Sequence, residues 1–72
     1  MDLMTNDSVG ARLRDLREAQ VLSIRDLADK SGVHYTSIAR IESGTAERPH
    51  PRTLRKLAEA LDVSPEYLKF GE

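Results

Sequence analysis

The chain has 72 residues, 11 basic and 12 acidic, with no cysteine and two histidines. A chain of that length is one small domain that buries only about 60% of its unfolded surface, with no room for an active-site domain beside a scaffold. The cysteine count excludes disulfides, thiol catalysis and cysteine–zinc sites, two histidines make no metal cluster, and no run of about 18 apolar residues is present to span a membrane.

The N-terminal stretch, residues 1–7, reads MDLMTND. It is polar and aperiodic, a flexible tail preceding a domain over 8–72. It also lacks the apolar core of a signal peptide, so a soluble, cytoplasmic domain is expected. From Ser8 the chain is periodic. Val9, Leu13 and Leu16 fall at i, i+4 and i+7 and predict a first helix over about Val9 to Ala19, with Ser8 as N-cap. A second helix starts at the Ser23 cap, where Asp26 completes a capping box. It carries Ile24, Leu27 and Ala28 inward and stops at Gly32. After a very short turn, a third helix runs from about Tyr35 to Ser43, anchored by Ile38 and Ile41 and ended by Gly44.

A loop then leads to a fourth helix with His50 at the N-cap and Pro51 at its first position, where a missing N–H costs nothing. Its inner face is Leu54, Leu57, Ala58 and Leu61. Ser64-Pro65 repeats this start for a last short helix bearing Tyr67, Leu68 and Phe70, closed by Gly71. Those apolar C-terminal residues either close the core or supply a dimer surface, and the core is the favoured reading. Strand signals are absent. The fold class is therefore all-α, a compact bundle of five short helices.

The near-neutral total hides a gradient. Residues 1–33 carry a net −1, residues 34–56 a net +3 and residues 57–72 a net −3. A basic middle between acidic ends matters because local rather than total charge meets a phosphate backbone.

Helices 2 and 3 hold the informative spacing. With Ile24 as the first position of a window, Ala28 is fifth, Gly32 ninth, Ile38 fifteenth and Ile41 eighteenth. Two short helices crossing at roughly 100° need a tiny side chain where their backbones approach and a turn residue at ease with positive φ. Ala28 and Gly32 meet those needs. Ile38 and Ile41 fix the third helix to the core and leave its other face outward. That is a helix-turn-helix, in which the second helix enters the DNA major groove.

From about Val9 to Gly71 the chain resembles the phage Cro/repressor type of helix-turn-helix regulator, also called the xenobiotic-response-element type. Four segments carry the likeness in order: residues 13–17 (LRDLR), 22–28 (LSIRDLA), 32–44 (GVHYTSIARIESG) and 54–61 (LRKLAEAL). The resemblance implies a lambda-repressor-like DNA-binding domain. It further implies a sequence-specific regulator of phage, plasmid or mobile-element type, most often a repressor. Such a domain acts as a homodimer on double-stranded DNA and needs no cofactor, metal or small-molecule substrate. It also implies a structural ion pair between Arg17 and Glu42.

Base contacts are expected from Tyr35, Thr36, Ala39 and Arg40, the outward residues of the third helix. An arginine there can donate twice to guanine. Ser37 is set aside because its family counterpart faces the scaffold. His34 stands where a Ser or Thr cap is usual, so it either caps the helix or touches phosphate. Further phosphate contacts are expected from Ser43, Gly44, Thr45, Arg48, Arg52 and Arg25, flanking the reading helix. Arg55 and Lys56 read instead as the polar face of helix 4.

The chain departs from the family pattern in three places. Ile24 stands where the family commonly has a phosphate-binding Gln, so that anchoring contact is either missing or replaced by Arg25 or a backbone amide at the helix N-terminus. Val21 stands where Gly usually follows the first helix. The loop after Gly44 is about one residue longer. The alternative function is a protein-interaction module, such as an antitoxin or an arm of a larger assembly. An enzyme is not supported, because no nucleophile, metal set or pocket accompanies the polar residues.

Overall fold

A computed structural model describes residues 8–46 and 48–71. The tail expected over residues 1–7 lies outside the described residues, as do Glu47 and Glu72. Five helices follow in order: α1 Val9–Ala19, α2 Ile24–Ser31, α3 Tyr35–Ser43, α4 Pro51–Leu61 and α5 Pro65–Phe70. The described residues contain no strand.

Each helix begins on a side chain that accepts an otherwise orphaned amide proton. Ser8 Oγ accepts from the amide of Ala11 at 3.0 Å, and Ser64 Oγ from that of Tyr67 at 3.0 Å. At α2 the capping box is complete. Ser23 Oγ accepts from the Asp26 amide at 3.0 Å, while Asp26 Oδ2 accepts from the Ser23 amide at 2.9 Å. Donation from the Ser23 backbone amide, and after it the Ser23 side chain, holds the Asp26 carboxyl below the ordinary carboxylate range. α3 and α4 instead start on histidines, described with the interface below.

The core is one cluster to which every helix contributes, with Leu13, Leu27, Ile38, Leu57 and Leu68 fully shielded. α1 packs on α3 and α5, α2 on α3 and α4, and α4 on α5. α2 and α3 are thereby braced from opposite sides, and the turn between them passes through Gly32 at φ +79°. The approach of α1 to α3 depends on Gly10. A Cβ there would run into the Ile41 carbonyl oxygen and would sit 3.2 Å from Glu42 Cα.

One expectation about the ends of the helices needs correction. Tyr67 and Phe70 do not close the core. Leu68 alone of that trio is buried, while Tyr67 is 38% and Phe70 64% exposed. A helix turns only one residue in three or four toward its support, so the three apolar residues of six-residue α5 cannot all point inward. What secures α5 is Arg12, only 6% exposed, a residue that the hydrophobic pattern of α1 did not single out. Its Nε donates to the Leu68 carbonyl at 3.0 Å and its Nη2 to the Lys69 carbonyl at 2.6 Å.

The α1–α2 turn keeps the shape a glycine would give it, without the glycine. Val21 takes φ +58°, the left-handed region, and is 88% exposed. Its amide donates to the Glu18 carbonyl at 2.9 Å and the Leu22 amide to the Arg17 carbonyl at 3.1 Å. This is the Schellman pairing that ends a helix, with a β-branched residue in the slot that favours Gly.

Candidate nucleic-acid interface

The third helix is set by a tie at its rear. Arg17 of α1 donates to Glu42 of α3 through Nε at 2.8 Å and Nη2 at 2.9 Å, and its Nη1 donates to the Leu22 carbonyl at 2.7 Å. The two side chains are only 11% and 7% exposed. The Glu42 carboxylate raises the Arg17 pKa above its ordinary value, so the guanidinium stays charged. One charged group thus fixes the α1–α2 turn and the C-terminal half of α3 together.

On the outer side of α3, Tyr35 and Arg40 are exposed, and Thr36 and Ala39 are half-buried. Ser37, expected to face the scaffold, is exposed instead. Ser37 and Arg40 are three residues apart and share one helix face. Both line a depression of about 250 Å³ between α3 and the start of α4, completed by Ile41, Ala46, Arg48, Pro49, His50 and Thr53. The charged side chains among these described residues are both arginines. Arg52, Arg55 and Lys56 are also exposed, so the +3 middle segment presents its basic residues to solvent.

The two histidines occupy equivalent positions. His34 Nδ1 accepts from the Thr36 amide at 3.2 Å, capping α3, and His50 Nδ1 accepts from the Arg52 amide at 3.0 Å, capping α4. An imidazole nitrogen that accepts carries no proton, so in each ring the proton sits on Nε2 and remains a donor. The His34 ring stacks on Tyr35 at 5.2 Å between centroids, inclined by 25°. At the other end of α3, Ser43 Oγ donates to the Arg40 carbonyl at 3.1 Å and lies 3.0 Å from Thr45 Oγ1. Between them Gly44 ends the helix at φ +87°.

The candidate contacts thus form two groups along one helix. Arg25, His34 and Tyr35 gather at its N-terminal end, with the Arg25 guanidinium 5.2 Å from the Tyr35 ring centre. Arg40 and Arg48 line the depression beside α4 together with His50, Ser37 and Thr53, three residues not proposed as contacts from the sequence. A signal for Thr53 existed in its place one turn after the His50 cap, and for Ser37 in its three-residue spacing from Arg40. Ile24, the departure at the start of α2, is half-buried and packs against the core. No group of three or more metal-ligating side chains converges among the described residues. Nor does any described helix have the length and apolarity to cross a membrane.

Two short helices joined by a glycine turn, the second backed by an ion pair and fronted by arginines, make this a helix-turn-helix domain. The chain belongs to the helix-turn-helix family of Cro/repressor type, which matches it over residues 13–68. That family consists of DNA-binding transcriptional regulators, not enzymes. The chain is 45% identical over 64 residues to the transcriptional repressor RghR of Bacillus subtilis, covering 89% of this chain and 47% of RghR. It spans about half the length or less of the curated relatives it matches.

Among solved structures, the P22 c2 repressor bound to a synthetic operator superposes with a TM-score of 0.82 at 31% identity, covering 90% of this chain and 97% of that one. The biofilm regulator SinR in complex with DNA superposes with a TM-score of 0.80 at 32% identity, covering 83% of this chain and 95% of the chain in that structure. SinR comes from Bacillus subtilis.

Proposed function

We propose that this domain binds double-stranded DNA sequence-specifically and represses transcription by occupying its site, in the cytoplasm where the DNA is. The observation that carries the reading is the depression between α3 and α4, where Arg40 and Arg48 stand together beside an exposed recognition face. Tyr35, Thr36, Ala39 and Arg40 contact bases in the major groove. His34, Ser43, Gly44, Thr45, Arg48, Arg52 and Arg25 contact phosphates. The family and the two DNA-bound relatives support this assignment, and the +3 segment supplies its electrostatics.

One such helix offers too few contacts for high affinity. The domain therefore acts as a two-fold dimer on an inverted repeat. The exposed Tyr67 and Phe70 of α5 give a second copy an apolar surface to cover. With a net charge of −1, non-specific binding at physiological salt is weak, because few phosphates are neutralised per protomer.

The test is selection of bound duplexes from a random pool at moderate salt, with Arg40→Ala as control. An enriched inverted repeat with half-site centres about 10 bp apart is the expected result. Failure to enrich any duplex would refute the reading in favour of a protein-interaction module.

A further inference from the structure

At the start of α2 the sequence places Ile24 and Arg25 side by side, and the fold separates their fates. Ile24 packs against the core, and Arg25 is exposed. Arg25 makes no ion pair or hydrogen bond among the described residues, and Asp29, one turn further along α2, does not engage it. The guanidinium rests instead over the Tyr35 ring, 5.2 Å from its centre. Tyr35 is the first residue of α3, so this contact bridges the N-terminal ends of both helices of the motif.

The ring is itself held. His34 Nδ1 is committed to the Thr36 amide, which fixes the imidazole, and the imidazole stacks on Tyr35. A cap, a stacked ring and a cation–π contact therefore follow one another from the α3 backbone out to the Arg25 guanidinium. Stacking occupies the flat face of a guanidinium and leaves the N–H donors around its edge free. An arginine held over a ring keeps N–H donors directed away from it, and these can fork onto a phosphate with two parallel bonds. Holding it beforehand spares the ordering of a long side chain when the phosphate arrives.

We propose that Tyr35 is a positioning residue, whose ring presents the Arg25 guanidinium to a DNA backbone phosphate at the N-terminal end of α3. This rests on the DNA-binding reading above and refines it, since it gives Tyr35 work that does not depend on the base it meets. Arg25 thereby supplies the anchoring contact that Ile24 cannot make.

The test combines the free protein with the enriched duplex, using Arg25→Ala, Tyr35→Phe, Tyr35→Leu and the Arg25→Ala/Tyr35→Leu double variant. In the free protein, proton NMR should show the Arg25 side-chain resonances shifted by the ring current in the parent and in Tyr35→Phe, and unshifted in Tyr35→Leu. On DNA, Arg25→Ala should reduce the salt slope by about one unit. Tyr35→Leu should weaken binding by about two- to fivefold through the lost cation–π contact, in addition to the loss of the base contact assigned to Tyr35, whereas Tyr35→Phe keeps the ring and should keep the parent's salt slope. The double variant should lose less than the sum of the two single losses, because the cation–π part of the Tyr35→Leu loss is already gone in Arg25→Ala.

Unshifted Arg25 resonances in the parent would overturn the proposal, whatever the DNA result. So would strictly additive losses, or an Arg25→Ala variant with an unchanged salt slope, while the DNA-binding reading stood. A parent chain that enriches no duplex would overturn both.

Discussion

Arg17 and Glu42 meet edge to edge across α1 and α3, two donors facing two acceptors at 2.8 and 2.9 Å, with both side chains almost out of water. They are 25 residues apart in the chain, and Arg17 also donates to the Leu22 carbonyl in the α1–α2 turn. A shielded pair of this kind is weak evidence of net stabilisation but is costly to halve, because the surviving charge stays desolvated.

Removing one partner therefore has a large expected effect. Arg17→Ala should cost about 3–5 kcal/mol, as should Glu42→Ala. Against a total of about 5–15 kcal/mol, that leaves a domain of this size close to unfolding. Replacing both partners with methionine should cost much less than either single truncation. Urea denaturation of the three variants measures it, and equal costs for the single and double replacements would mean that the pair matters through packing rather than charge.

Val21→Gly should stabilise the domain. A left-handed residue other than glycine costs about 1–2 kcal/mol, and the freedom that glycine adds to the unfolded chain returns about 0.4–1 kcal/mol of that. The net gain is about 1 kcal/mol, which for a domain this small raises Tm by about 4–8 °C. Because Val21 is 88% exposed, little buried apolar contact is lost. Thermal unfolding followed by circular dichroism decides it, and a lower Tm would show that the side chain makes a contribution that its exposure does not reveal.

These residues also show where sequence reading succeeded. Helix boundaries were legible because caps and stops are local chemistry: Ser8, Ser23 and Ser64 each accept an amide proton from the residue three positions further along. The core faces of α3 and α4 followed from periodicity for the same reason. Arg12 was not legible. Its partners are carbonyls 56 and 57 residues away, and nothing in the α1 pattern separates a surface arginine from a buried one. The same holds for Arg25 and Tyr35, ten residues apart, whose contact exists only because the motif's turn brings two helix starts together. Ser37 was misplaced because its family counterpart faces the scaffold, whereas here its three-residue spacing from Arg40 puts it on the exposed face of α3. Gly10 passed unremarked in the sequence, since only the approach of α3 makes its missing side chain necessary.

Gly10→Ala is accordingly expected to be disruptive although alanine favours helices. The obstacle is backbone, the Ile41 carbonyl and Glu42 Cα, and it cannot swing aside like a side chain. Overpacking of this kind costs about 1–3 kcal/mol, and relief comes only by moving α3 away from α1. The variant should lose stability and also weaken DNA binding, although every proposed contact residue is intact. Denaturant unfolding and duplex binding measured on the same sample check both effects.

Acid should act through the α2 cap. The Asp26 carboxyl is held below its ordinary value by the Ser23 backbone and hydroxyl contacts. A lowered folded pKa contributes stability that is present above the unfolded value of about 3.9 and lost as pH falls through the folded value. Stability should therefore decline as pH drops below about 4, and Asp26→Asn should flatten that part of the profile. Unfolding midpoints from pH 6 down to the acid limit test the sign, and identical profiles for parent and variant would remove Asp26 as a source of the acid dependence.

Arg40 and Arg48 line the same depression but should differ in what they read. Arg40 belongs to the exposed face of α3, the helix proposed to read base edges, whereas Arg48 belongs to the loop leading into α4. Arg40→Ala should cost about 1–3 kcal/mol on the preferred site and relax specificity at a single base pair. Arg48→Ala should weaken all duplexes alike and lower the salt slope by about one unit. Neither substitution touches the core, so thermal stability should be unchanged. Selection profiles and salt titrations of the two variants separate the roles. If Arg40→Ala left the sequence preference intact, the proposed orientation of α3 in the groove would be wrong, and the base-reading function would pass to the other exposed residues of the helix, Tyr35 and Ser37.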